Sequence, residues 1–270
     1  MQKIPIEAGF DGGHGSHWDA VLEDPGELAR VIKETYRRGT VDEGVAIVLR
    51  EEGVIHARVR ALPLGTPDFE ARLIEVTIRG KDKPGVATVY PHLKGAGAGL
   101  LVDPRRVTEW GHGAFEAEVG VRLVQAEGEV VFFATDYHEK RAEYRSGEPA
   151  RVALSAIAYT CGIISPKERI EALGDWKVDV SRASIVAPLK DSERAPYYDD
   201  DFFLQGPVVD CAPFAYPPWG EGAILRLELE GIGATPVFVR KKDFPHGWPT
   251  RGEFVAAYSW LQGRIVAPSA

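Results

Sequence analysis

The chain has 270 residues, 44% hydrophobic and 27% charged, which supplies a core for one large domain or two of ordinary size. Its 32 basic and 40 acidic residues leave a net charge of −8, which repels phosphate backbones and anionic lipid and argues against general nucleic-acid binding. The 2 cysteines, Cys161 and Cys211, form no Cys-x-x-Cys pair, which excludes a zinc ribbon and suggests no disulfide framework.

Met1 to Pro5 leads into no apolar run, so no signal peptide is read there, and no stretch reaches the ~20 apolar residues of a membrane span. A soluble cytoplasmic protein with reduced thiols is expected. Residues 8–19, AGFDGGHGSHWD, are turn formers and predict an irregular loop. A helix follows, with Asp24 as cap, Pro25 at its first position and Gly39 at its end. Leu28, Val31, Ile32 and Tyr36 share one face of it.

From Val41 the period changes to that of strands. Ala46–Arg50 and Val54–Ala61 predict a hairpin, Phe69–Arg79 a further strand, and 84–103 two strands around KGAGAG. Those glycines read as a turn, because a strand follows them where a dinucleotide fold would start a helix. Phe115–Gln125 and Glu129–Ala134 predict another hairpin, followed by a long strand from Ala150 to Ile164. Ser165-Pro166-Lys167-Glu168 has the form of a capping box and predicts a short linking helix to about Leu173. Lys190–Asp201, KDSERAPYYDDD, reads as a solvated linker, and four strand-like runs fill the remainder.

One order of residues occurs twice. VVFFATDY leads through a polar loop, 136–148, to Gly147-Glu148 and a long strand; TPVFVRKKDF leads through a short loop to Gly252-Glu253 and another. The expected fold is therefore mainly β: two barrel-like or sandwich modules, with an N-terminal helix and a short linking helix. The expected division is 1–165, helix plus β-rich module, and 175–270, a barrel whose strand order resembles the oligonucleotide/oligosaccharide-binding fold.

The repeated loops are the first candidate binding site. Tyr137, His138, Arg141 and Tyr144 in one, and Arg240, Lys242, Phe244 and Trp248 in the other, interleave cations with aromatics that can stack on a ligand. His14 and His17, flanked by Asp11 and Asp19, are the candidate metal ligands, although glycines at 12, 13 and 15 make that loop costly to order. No nucleophile elbow or Ser-x-x-Lys motif is present. The leading reading is a non-enzymatic binding or interaction protein without a cofactor. Its partner would be a small ligand, an oligosaccharide or a protein, with no membrane role. The alternative is a metal-dependent hydrolase built on His14 and His17, and a third is a structural subunit.

Overall fold

β-branched and aromatic residues at period two pair into sheets, and the glycines and prolines between them punctuate the strands. The computed structural model describes residues 4–8, 13–50, 53–78, 84–95, 99–110, 115–126, 128–164, 170–173, 176–179, 183–186 and 200–267. Among the described residues no helix is long and apolar enough to cross a membrane.

Strand β1 (Ile6–Ala8) and the short helix α1 (Gly15–Asp19) precede α2 (Leu28–Arg38). A 3-10 turn at Pro25–Glu27 opens α2, and Asp24 caps that turn by accepting from Gly26 N–H at 2.9 Å. An antiparallel four-strand meander follows: β2 (Thr40–Arg50), β3 (Gly53–Leu64), β4 (Thr66–Ile78) and β5 (Gly85–Leu93). Next come β6 (Leu100–Glu109), β7 (Ala117–Leu123), β8 (Glu129–Ala134), helix α3 (Tyr137–Ser146) and β9 (Ala150–Ile163). A hairpin, β10 (Ile170–Leu173) with β11 (Trp176–Asp179), and β12 (Ser184–Val186) lead on. The last strands are β13 (Asp201–Ala215), β14 (Glu221–Leu229), β15 (Gly233–Arg240) and β16 (Phe254–Ile265), with a 3-10 turn at Lys241–Asp243.

Ten strands form one sheet in the order β1-β6-β7-β8-β16-β9-β15-β14-β13-β12. Two further pairings, β6–β9 and β13–β16, close it into two five-strand rings that share the antiparallel pair β9/β16. One ring is β6, β7, β8, β16 and β9; the other is β13, β14, β15, β9 and β16. Each contains one short parallel contact, Phe133↔Gln262 in the first and Val237↔Ala156 in the second. The division at 165/175 falls between β9 and β11, with β10 in the gap, and strands from both sides of it pair in this sheet.

An aspartate continues each parallel contact where backbone pairing stops. Asp136 Oδ2 accepts from Ile265 N–H at 2.9 Å, and Asp243 accepts from the Cys161 backbone. The aromatic after each aspartate, Tyr137 or Phe244, enters the core inside the rings with Val119, Val152, Leu225, Val239 and Leu261. The repeated Asp-aromatic pair thus seals a strand end and plugs a ring.

The four-strand sheet lies across the outer face of β9/β16. Gln262 ties it down, donating to Pro91 O at 2.8 Å and accepting from Leu93 N–H at 3.0 Å, while Ser155 donates to Leu93 O at 2.7 Å. A second core fills the space between the layers, with Trp18, Phe69, Tyr90, Phe133, Phe238 and Trp260.

Three local expectations need correction. No linking helix covers Ile170–Leu173, which is a strand with register Leu173↔Trp176. Gly174-Asp175 between two strand-like runs is a hairpin signal that outweighs the capping box, whose own residues 165–169 lie outside the described residues. The polar loop 136–148 is helix α3, ended by Gly147 at φ 71° in the left-handed region that suits glycine. The N-terminal loop contains α1, with its histidines buried.

Candidate active site

Side chains from both layers hold α1 in place. Trp18 Nε1–H donates to Val89 O at 3.1 Å, and Tyr216 OH donates to Val21 O at 2.7 Å. Arg240 reaches the carbonyls that follow α1, donating to Asp19 O, to Leu22 O at 3.4 Å and, across the ring, to Tyr159 O at 3.4 Å. Such anchoring explains why a glycine-rich segment is ordered: its apolar residues Trp18, Val21 and Leu22 are fully buried.

His14 and His17, one helical turn apart, are brought onto the same face by α1. Only 3% of His14 and 1% of His17 is exposed. Their Nδ1 atoms face each other at 2.8 Å, and His14 Nε2 lies 2.8 Å from Glu116 Oε1, which also accepts from Thr88 Oγ at 2.9 Å. The polarity of this chain follows from its carboxylate end. In the tautomer that gives His17 a basic lone pair on Nε2, His14 donates Nε2–H to Glu116 and its Nδ1 accepts from His17 Nδ1–H. Burial first, then the neighbouring His14, holds the His17 pKa well below the ordinary imidazole range, so His17 is neutral.

The His17 ring stacks on Trp260, with centroids 3.8 Å apart and planes 4° from parallel. At the edge of the same indole, Trp260 Nε1–H donates to Asp200 Oδ2 at 2.7 Å. Asp200 is fully buried, and its Oδ1 has no hydrogen-bond partner among the described residues. Desolvation, then the charges of Glu118 and Asp201, push its pKa well above the usual carboxylate range. Burial thus favours the protonated form of Asp200. Its neighbour Asp201 is held differently: Tyr159 and Tyr258 each donate a hydroxyl to one of its oxygens, at 2.9 and 3.0 Å. His17 and Asp200 thus both touch one buried indole, and Tyr90, Trp110 and Phe133 pack around His14.

No family model matches the chain. No curated protein and no solved structure matches it either. Its chemistry is read from these residues alone.

The predicted loop residues lie elsewhere. Tyr137, His138 and Tyr144 are buried under α3; Tyr144 donates to Asp136 Oδ1 at 2.7 Å, and Arg141 donates to Glu109 at 3.0 Å. His138 Nε2 is 3.3 Å from Glu139. In the second set Arg240 and Phe244 are buried, Lys242 is exposed, and Trp248 is half-buried beneath the Lys241 ammonium, 4.8 Å from its centroid. The structure does not bring the two sets together. Asp136 sits at Ile265 and Asp243 at Cys161, the partner of Ala257, which places them eight residues apart along β16, ~27 Å at strand rise.

Asp11 lies outside the described residues, as do Gly97 and 190–199 with Tyr197 and Tyr198. Among the described residues no three or more of His, Cys, Asp and Glu form a group that would hold a metal. Glu116 and Glu118 were not singled out by the sequence, and Asp200 stood out there only as one of three consecutive carboxylates, 199–201, that lack calcium-loop spacing and read as a solvated linker. A signal for the first two exists: in EAEV they alternate with Ala117 and Val119, so both carboxylates share the face of β7 opposite the ring core. Asp200 carried no such signal within a run expected to be solvated.

Proposed function

We propose that this chain is an acid–base enzyme that moves a proton on a small uncharged molecule bound beside Trp260. The observation that carries the reading is the placement of two buried titratable groups on one indole, His17 stacked on its face and Asp200 at its Nε1–H, with burial lowering the pKa of the first and raising that of the second. A carbonyl compound with an acidic neighbouring C–H fits that pair. His17 Nε2 takes the carbon-bound proton, the C–H electron pair forms the C=C bond, and the carbonyl electrons move to oxygen, which takes the Asp200 proton. Collapse of the enol with return of both protons leaves the enzyme as it began. The Glu116–His14 chain would stabilise the imidazolium formed at His17 by accepting its Nδ1–H. His17 and Asp200 are the catalytic pair; Glu116 and His14 position and polarise the base.

The hydrolase alternative on His14 and His17 would require the rings to turn, since both Nδ1 atoms and His14 Nε2 are engaged. The binding-protein alternative draws support from a separate groove described below. The repeated Asp-aromatic pairs and the equivalent places of β8–α3–β9 and β15–turn–β16 support a duplicated design, with 1–165 and 175–270 as interleaved modules. Cys161 and Cys211 as free thiols support a reducing, cytoplasmic setting.

The test needs no known product. Protein in D2O is incubated with a panel of small ketones and aldehydes, and deuterium incorporation is followed by NMR. Wild type is expected to exchange at least one of them, with a loss of ~100-fold or more in His17→Gln and in Asp200→Asn, each checked for its fold by circular dichroism. Equal exchange by wild type and both variants, or none across the panel, contradicts the reading.

A further inference from the structure

Along β16 the face that carries Trp260 continues through Gln262 to Arg264, four residues and ~13 Å further on. There the outer surface opens into two adjoining hollows. One, of 330 Å³, is lined by Lys94, Arg226 and Arg264 beside the apolar Leu93, Ile224 and Pro236. The other, of 370 Å³, is lined by Leu100, Val152, Leu154 and Ile232, whose first three side chains are largely buried in the ring core, together with the polar Gln125 and Thr235. Arg226 borders both.

Of these three cations, Lys94 has an acid partner. Lys94 pairs with Glu70 at 3.2 Å and donates to Pro67 O at 2.7 Å. Among the described residues Arg264 has a backbone acceptor, Gly95 O at 3.5 Å, and its buried Nε has no hydrogen-bond partner. Arg226 is exposed, opposite Pro236 in the β14/β15 pair and Asp210 in the β13/β14 pair, and no ion pair joins it to a carboxylate among the described residues. The one carboxylate lining the first hollow is Asp68. Two guanidinium groups with no ion pair to a carboxylate among the described residues, in a chain of net charge −8, form a local positive site beside Asp68 and Asp210.

We propose that this groove binds an amphiphilic carboxylate, its head between Arg226 and Arg264 and its aliphatic tail in the hollow lined by Leu100, Val152, Leu154 and Ile232. A guanidinium fork suits a carboxylate held through two oxygens, and the apolar lobe beside Arg226 rewards a tail that inorganic anions lack. The groove and the His17/Asp200 centre share no residue, so either assignment can fail without the other.

Titration calorimetry with sodium octanoate, inorganic phosphate and 1-octanol decides it. Octanoate is expected to bind saturably, and more tightly than either control. Its affinity should fall ~10-fold or more in Arg226→Ser and in Arg264→Gln. Ala234→Glu, at an exposed position on the tail hollow, should weaken octanoate as well while leaving the thermal midpoint unchanged. No saturable octanoate binding, phosphate or octanol binding as tightly as octanoate, or octanoate affinity unchanged in Arg226→Ser, overturns the proposal. Arg226 is exposed, so its replacement is not expected to disturb the fold.

Discussion

Asp136→Asn should stabilise the protein at neutral pH and change its response to acid. The Asp136 carboxyl is buried between the Tyr144 hydroxyl and Ile265 N–H, and desolvation outweighs those hydrogen bonds, raising its pKa from the ordinary 3.8 to about 6. A carboxyl whose folded pKa is raised contributes stability that is complete below pH ~4 and is lost as pH rises through ~6. A rise of about two units, at ~1.4 kcal/mol each, amounts to ~3 kcal/mol. Asparagine is neutral at every pH, keeps an acceptor for Ile265 N–H and offers its amide to the Tyr144 oxygen. Urea denaturation of wild type and variant, followed by tryptophan fluorescence from pH 4 to pH 8, measures the difference. Other shifted groups, such as Glu70 and Asp200, are common to both proteins and cancel in it. The variant should gain on wild type by ~3 kcal/mol between pH 4 and pH 7. A difference that stays flat within ~0.5 kcal/mol would show that Asp136 is ionised in the folded protein at little cost.

Leu261→Ala removes a fully buried side chain from the core inside the rings and should cost ~2–5 kcal/mol in the same denaturation assay; a loss under ~1 kcal/mol would mean the rings collapse around the gap. Gly65→Ala should destabilise by ~1–3 kcal/mol, because Gly65 has φ 75° and a methyl there would meet Ala215 O; an unchanged midpoint would refute the close approach of these two segments. Trp260→Phe keeps the ring under His17 but strips Asp200 of its donor, so proton-transfer activity should fall with a smaller loss of stability than Trp260→Ala shows.

Strand positions were legible because period-two alternation is a local property: β5 lies within 84–103 and β7 within Phe115–Gln125, where strands were expected, and β13 and β14 lie in the remainder read as strand-like runs. The loop 136–148 was misread because its residues are polar on both sides of the apolar pair Tyr137 and Tyr144. A seven-residue spacing identifies that pair as one helix face only after the rings beneath it are known. His14 and His17 were legible as a pair, but their burial was not. The glycines around them argue for mobility, while Arg240, Tyr216 and the rest of the anchoring arrive from about two hundred residues away. Asp200 was illegible for the same reason. Only the Trp260 indole distinguishes one carboxylate of a solvated-looking run as an internal acid.

The protonation states of His17 and Asp200 test the account most directly. NMR of isotope-labelled native protein at pH 7 reads both, through the His17 ring nitrogens and the Asp200 carboxyl carbon, with His17→Gln and Asp200→Asn providing assignments. The account predicts a neutral His17 with its proton on Nδ1, and a protonated Asp200 that does not titrate in the ordinary carboxylate range. An imidazolium at His17, or an Asp200 that ionises near pH 4, would leave no base and no acid beside Trp260 and would contradict it.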